Sequence, residues 1–481
     1  MADSTKRYVA VDLGTTCVKV VLASVSAGTV ALETVHSFSV PAVRMAGLSY
    51  WDIYAAYSEV LKGLSTIGSR GLAVESIGID AWGPGLVCVA RDGKFLGLPR
   101  LNGGVLSESV QAKFFKRMER RDLYETTGVN VLDSHAALQL FWLRREKSVA
   151  LDDAKYLLFI PEAFAYLLTD KRFTGFSSLS AAGLMNRRTR KLAKDVLSAC
   201  KVRPRRFPSV AMPGAKVGKL TEEVAQATGL GRVPVVAVAG HDLASAAAAV
   251  PAAEESAFLR FGSVSELGVM TASPLVNDQT FEMNFSNEAG LSEANILVKR
   301  IVGTDLLGRC LEAWRAAGRD YGPEDVARMA REGAPVAAQL DPEDPALRTA
   351  FAASSFDPAV ALSRYCSLRS MTAPADDASI VRLVYTSLAE KTGDTFIKLQ
   401  SVTPFRIKSL YVIGEGASDP VLCQMVADEC AVPVHVGPAD AAVLGNVLVQ
   451  AGGAQPGSGQ SGLIRAALAS TYTPETFTPG L

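Results

Sequence analysis

Residues Val9–Leu22 read VAVDLGTTCVKVVL, and the way the two apolar runs of this stretch meet decides the fold. Tyr8–Asp12 is an apolar strand run ending in the turn Asp12-Leu13-Gly14-Thr15-Thr16, and Val18–Ala23 is a second apolar run. Thr29–Ser39 has the composition of a third strand. Strand, glycine turn and strand at such close spacing predict a β-hairpin rather than strand–loop–helix. That separates the turn from a Walker-type loop, and the chain contains neither GxxxxGK[ST] nor GxGxxG.

The same pattern returns about 250 residues later, where Ala257–Arg260 leads through Gly262-Ser263-Val264-Ser265 into Leu267–Thr271. Two domains of related build produce a recurrence of this kind. Between and beyond the hairpins, helical spacing is expected at Ile53–Leu64, Ala136–Arg145, Leu158–Leu168 and Leu192–Leu197. It is expected again at Leu243–Ala249, Asp305–Ala317, Pro358–Cys366, Ser379–Gln400, Val421–Glu429 and Ala441–Gln450. Short strands are expected at Val74–Asp80, Gly83–Ala90, Val235–Ala239, Ser409–Ile413 and Val432–Val436. Ala334–Asp357 reads as surface connection, and Gly452–Gly462 and the Thr/Pro tail read as mobile. Strands alternating with helices make this an α/β chain.

Bulk properties narrow the function classes. At 481 residues the chain is long enough for two to three domains, and 48% hydrophobic content supplies a sizeable core. Lys+Arg and Asp+Glu both total 49, a balance with no broad attraction for nucleic acid or an anionic membrane. Seven scattered cysteines, none at zinc or redox-motif spacing, point to a reducing compartment. No apolar leader is visible, so a cytoplasmic protein is expected.

Three small-residue turns follow strands: Gly14-Thr15-Thr16, Gly262-Ser263-Val264-Ser265 and Gly414-Glu415-Gly416-Ala417-Ser418. Such turns let backbone N–H groups approach phosphate oxygens, and together they suggest a nucleotide held between two domains. Asp242 falls where a strand meets a helix start, as a cap or as a base facing a cleft. His241 either bonds a substrate or fills space. Asp12 caps its turn or directs magnesium-bound water. Asp80, followed by Trp82-Gly83, lines a sugar pocket or forms a buried structural pair.

Taken in order, these stretches resemble the FGGY carbohydrate kinases of the actin, heat-shock chaperone and hexokinase ATPase group, and most of all the rhamnulokinases. The resemblance is carried by VAVDLGTTCVKVVL, YWDIYAAYSEVLKGL, ESIGIDAWG, FIPEAFAYLLTD, VPVVAVAGHDLASAAAAVPA, NFSNEAG, SLAEK, VIGEGASDPVL and VGPADAAVLGNVLVQAG, in family order. It implies two ribonuclease H-like domains, residues 1–249 and 250–481, with an interdomain cleft. It also implies ATP and Mg²⁺ as cofactors, a small sugar as substrate, and a monomer or homodimer.

By resemblance, Asp242 is the general base, and Trp82, Gly83, Asp80, Asn102, His241 and Arg300 belong to the sugar site. Gly14, Thr15, Thr16, Lys19, Gly262, Ser263, Gly414, Glu415 and Gly416 belong to the nucleotide site, and Asp12 holds the metal through water. The chain departs from the family where Trp82-Gly83 runs into Pro84-Gly85, where Asn102 replaces an Asp, and where Arg300 and Gly308 replace an Asn and a Gln. Glu415 puts a carboxylate inside the adenosine-binding turn. Lost hydroxyl partners change which sugar is accepted. A catalytically weak homologue that senses a sugar or nucleotide is the alternative.

Overall fold

Lys6–Leu13 is buried on both faces over Tyr8–Val11, which gives that strand two working faces. Val9, Val11 and Leu13 are fully buried with Val18, Val20 and Leu22 of the next strand. The helix Ile53–Gly68 covers them with Ile53, Ala56, Val60, Leu64 and Ile67, and Asp52 caps it by accepting from Tyr54 N and Ala55 N. This computed structural model describes residues 5–14, 17–26, 29–83, 85–101, 108–130, 135–250, 255–291, 294–351, 356–452 and 474–480. The chain divides into two compact units, one formed by Met1–Pro251, Met270–Leu297 and Ala441–Thr473, the other by Ala252–Val269, Val298–Asp440 and Pro474–Leu481.

The first unit's main sheet has six strands in the order Lys216–Lys219, Pro234–Val236, Ser76–Ala81, Lys6–Leu13, Cys17–Ser26, Thr29–Ser39. The opening hairpin is antiparallel, with Tyr8 opposite Ala23 and Asp12 opposite Lys19. Lys6–Leu13 then pairs in parallel with Ser76–Ala81, which sets Ala10 opposite Gly78 and Asp12 opposite Asp80. On that second face lies the helix Ala441–Gly452, far away in sequence. A Cβ on Gly78 would sit 2.2 Å from Asn446 Oδ1, so the missing side chain is what admits the helix. The same helix crosses Asp242–Ala248 at Gly445, where a Cβ would meet Ser245 O at 1.8 Å.

The other large sheet has seven strands in the order Ser286–Ala289, Asn295–Val302, Val264–Thr271, Ser256–Arg260, Ser409–Ile413, Val434–Val436, Thr476–Phe477. Its hairpin is antiparallel, its next two neighbours are parallel, and its last strand is antiparallel. The first unit follows the same course from its hairpin to Lys216–Lys219. The 26-residue helix Asp377–Val402 opens with a capping box between Asp376 and Ser379. Asp419 caps Pro420–Cys430 and accepts a 2.5 Å bond from Tyr385 Oη on the long helix.

Several local expectations change. The run Leu158–Leu168 is divided, because Tyr156–Phe159 pairs as a strand with Leu86–Val89 and the helix begins only at Ile160. Pro161 suits the first helical turn, where no N–H is needed. Ala334–Asp357 contains the helix Pro345–Phe351. The Thr/Pro tail supplies Thr476–Phe477, paired antiparallel with Val434–His435. Of the Gly452–Gly462 stretch, residues 453–462 lie outside the described residues.

Candidate active site

Residues opposite one another in a sheet project from the same face. In the first unit the register therefore lines up Lys19, Asp12 and Asp80 in one row near the strand ends. Beyond the row, Ala81 N donates to Gly240 O at 2.9 Å, so Gly240-His241-Asp242 continues alongside the strand Ser76–Ala81. Asp242 is the first residue of the helix Asp242–Ala248, and its Oδ1 accepts from Leu243 N at 2.7 Å. Its side chain is 17% exposed, whereas Asp80 is wholly buried.

Asp80 is the electrostatic centre of this region. Burial pushes its carboxyl well above the usual range, and the Asp12 carboxylate pushes it further. A 2.5 Å hydrogen bond from Asn446 Nδ2 opposes the shift, and Asp242 adds to it. Three carboxyl groups thus feel one another, a pattern typical of functional sites. Among the described residues nothing donates a hydrogen bond to Asp80 Oδ2, a buried oxygen.

Trp82 and Gly83 line a narrow crevice with Pro161, Ser178, Gly240 and His241. Trp82 is held by its backbone N–H, which donates to Leu13 O at 3.1 Å, and by an edge-on contact of its ring with Trp51 at 6.2 Å. Behind the crevice, Glu162 is fully buried, accepts from Ser178 Oγ at 2.8 Å, and is pushed up to about 7 by burial. The first unit therefore brings together Asp12, Lys19, Asp80, Trp82, Gly83, His241 and Asp242, with Gly14 in the turn. Thr15, Thr16 and Asn102 lie outside the described residues.

The second unit gathers the other nominated residues. Gly303 N donates to Ser263 O at 3.1 Å and Thr304 N to Gly262 O at 2.9 Å, which ties the hairpin turn to the end of Asn295–Val302. Gly414 adopts φ +85°, and a Cβ there would meet Phe261 O at 2.7 Å. A Cβ on Gly416 would meet Phe261 Cβ at 2.4 Å, so both glycines lie against the residue preceding Gly262. Glu415 belongs to the short turn of helix Glu415–Ser418, and its side chain lies outside the described atoms. Arg300 is on this unit too, with its Nε 3.1 Å from Glu266 Oε1, while Arg260 Nε lies 2.6 Å from Glu266 Oε2.

Family models decide what this arrangement belongs to. That of the FGGY family of carbohydrate kinases, N-terminal domain, matches residues 7–249, and that of its C-terminal domain matches residues 257–454. The chain belongs to the FGGY carbohydrate kinases. It is an ATP-dependent sugar kinase, a phosphotransferase acting on a small sugar. Among curated proteins this FGGY kinase is 36% identical over 447 residues to a rhamnulokinase of Bacteroides thetaiotaomicron, covering 93% of this chain and 90% of the relative. It is 29% identical to a rhamnulokinase of Pectobacterium atrosepticum, covering 92% and 87%. Among solved structures, xylulose kinase from Lactobacillus acidophilus matches with a TM-score of 0.78 at 16% identity, covering 99% of this chain and 94% of that one. Glycerol kinase from Plasmodium falciparum with ADP matches at 0.75 and 14% identity, covering 99% and 94%. These likenesses show the two-domain α/β sugar-kinase fold.

Several residues at the site escaped the sequence reading. Asn446 sits inside VGPADAAVLGNVLVQAG, Glu162 inside FIPEAFAYLLTD and Glu288 inside NFSNEAG. Asn446 and Glu162 are polar groups within largely apolar stretches, and that mismatch is the signal that marks them, whereas Glu288 lies among other polar residues and carries no such signal. Glu266 and Arg260 carried no signal, because a register alone sets them opposite each other. Among the described residues no three His, Cys, Asp or Glu side chains form a metal cage, and no helix is long and apolar enough to cross a membrane.

Proposed function

We propose that this FGGY kinase transfers the γ-phosphoryl group of ATP to a hydroxyl of a small ketose or polyol, L-rhamnulose or a related sugar, with Asp242 as general base. What supports the reading is the position of Asp242 at a strand-to-helix junction, partly exposed, next to the crevice of Trp82 and His241. As the sugar oxygen attacks phosphorus, its proton passes to the Asp242 carboxylate while the bond to the leaving ADP breaks. A positioned base of this kind is worth about 10²–10⁴-fold. The apolar face of Trp82 suits the apolar face of a sugar, and His241 offers a hydrogen bond to a hydroxyl.

On this reading Gly14, Lys19, Gly262, Ser263, Gly414 and Gly416 take up the triphosphate and adenosine through backbone N–H groups and short side chains. Residues 1–249 carry the base and most of the sugar site, and residues 250–481 most of the nucleotide site. The acidic row fits a divalent cation: burial first, and then repulsion from Asp12, raises Asp80, and a cation relieves that repulsion. Asp12 is the residue to hold Mg²⁺, through water. When bound, Mg²⁺ neutralises phosphate charge, and it binds through few protein oxygens.

The test is ADP release from ATP and Mg²⁺ with a panel of ketoses and polyols that includes L-rhamnulose. Asp242→Asn is expected to abolish sugar-dependent turnover and leave ATP binding by calorimetry intact. Normal turnover in that variant removes Asp242 from the reaction. ATP binding without turnover on any sugar favours a sensor instead.

A further inference from the structure

The stretch NFSNEAG holds a carboxylate that the phosphoryl-transfer reading leaves unused. Every residue of the strand Ser286–Ala289 is buried, and the neighbours of Glu288 are tied down within the first unit. Ser286 Oγ accepts from Asn130 N at 3.0 Å. Asn287 N donates to Gly128 O at 2.7 Å, and the Asn287 side chain accepts from Leu275 N at 2.7 Å and donates to Leu275 O at 3.0 Å. Ala289 N donates to Ser180 Oγ at 2.9 Å. Between these anchors the Glu288 carboxylate has little freedom.

Its Oε2 lies 3.3 Å from His241 Nδ1, and the other ring nitrogen, Nε2, lies 3.6 Å from Asp242 Oδ1. The His241 side chain is 5% exposed and that of Glu288 2%. A carboxylate taken this far from water is tolerated when it is paired, and an imidazole N–H is the group in front of it. The two nitrogens of a histidine are distinct, and the bond made at one fixes what the other presents. A carboxylate can only accept, so Glu288 in front of Nδ1 and Asp242 in front of Nε2 together call for a proton on each ring nitrogen, the imidazolium, held between two carboxylates as ion-pair contacts.

We propose that Glu288 is a positioning residue for phosphoryl transfer: it holds the His241 ring through Nδ1, so that Nε2 faces the Asp242 carboxylate and keeps that base aimed at the sugar hydroxyl. The inference rests on the reading of Asp242 as the base. The logic is that of the carboxylate that orients the histidine of a serine hydrolase, except that here the ring steadies a carboxylate and takes no substrate proton itself. Small errors of aim are costly, about 10²-fold for a displacement of about 1 Å.

A double-mutant cycle on the full chain tests it, with kcat and sugar KM measured on the ketose selected by the panel and ATP affinity measured by calorimetry. Glu288→Gln is expected to lower kcat by about 10- to 100-fold with ATP affinity unchanged, since near-isosteric Gln keeps the packing but also offers an N–H to Nδ1. In a His241→Ala background the same change is expected to add no further loss, because its whole effect passes through the ring. Glu288→Asp, which keeps the charge, is expected to recover part of kcat, and it replaces Gln in the cycle should the Gln variant fail to bind ATP. Full kcat in Glu288→Gln, or an undiminished loss in the His241→Ala background, overturns the proposal. If Asp242→Asn turns over normally, the base reading falls first. If Asp242→Asn is dead while Glu288→Gln is fully active, the proposal about Glu288 fails alone.

Discussion

Glu162 shows at the scale of one residue how the region behind the crevice records pH. It is wholly buried and its carboxyl is pushed up to about 7, chiefly by loss of water, against the bond from Ser178 that works the other way. The folded chain therefore holds a proton that the unfolded chain, with its ordinary value of 4.5, releases. The stabilisation this gives is full below about pH 4.5 and is lost as pH rises through about 7, a swing of about 3 kcal/mol. Glu162→Gln keeps an acceptor for Ser178 and removes the titration. In urea unfolding at pH 5, 6, 7 and 8, the variant is expected to gain stability on the native chain as pH rises. Parallel pH curves for the two proteins would count against a neutral Glu162.

At the scale of elements, the acidic row depends on two helices from distant parts of the chain. Asp242–Ala248 carries the proposed base and Ala441–Gly452 carries Asn446, the partner of Asp80. They cross where Gly445 meets Ser245 O, a contact with no space for a methyl group. Gly445→Ala is expected to destabilise the chain by about 1–3 kcal/mol or more and to lower kcat, since the helix that must move is the one that begins with Asp242. The urea midpoint and kcat measured together check this, and an unchanged midpoint would mean that the crossing yields to a methyl group.

The same helix matters at the scale of the whole molecule. Ala441–Gly452 lies late in sequence yet belongs to the first unit, where Gln450 accepts from Ser76 Oγ at 2.7 Å and donates to Val9 O at 3.0 Å. Deleting residues 441–481 is therefore expected to open the first unit, although the cut falls at the far end of the chain. Limited proteolysis with mass spectrometry should show new cleavage around Ser76–Ala81 and Lys6–Leu13. Continued protection of both strands would contradict the assignment of that helix. All seven cysteines are free and five are buried, so none of this architecture leans on a disulfide.

Much of the fold could be read from the sequence because its signals are local. The Val9–Leu22 hairpin, its echo at Ala257–Thr271 and the helix of Asp377–Val402 each follow from apolar period and turn chemistry within one window. The motifs named the family, and with it the reaction class. Short pieces were harder: Ser286–Ala289 and Asn295–Val302 were missed because a strand takes half of its definition from partners elsewhere in the chain. Only the tertiary structure decided that Asp12 stands opposite Asp80, that Asn446 reaches Asp80 across 366 residues, and that Glu288 faces His241. Register and helix crossing set those meetings, and both depend on long-range packing for which no short window of sequence carries a period.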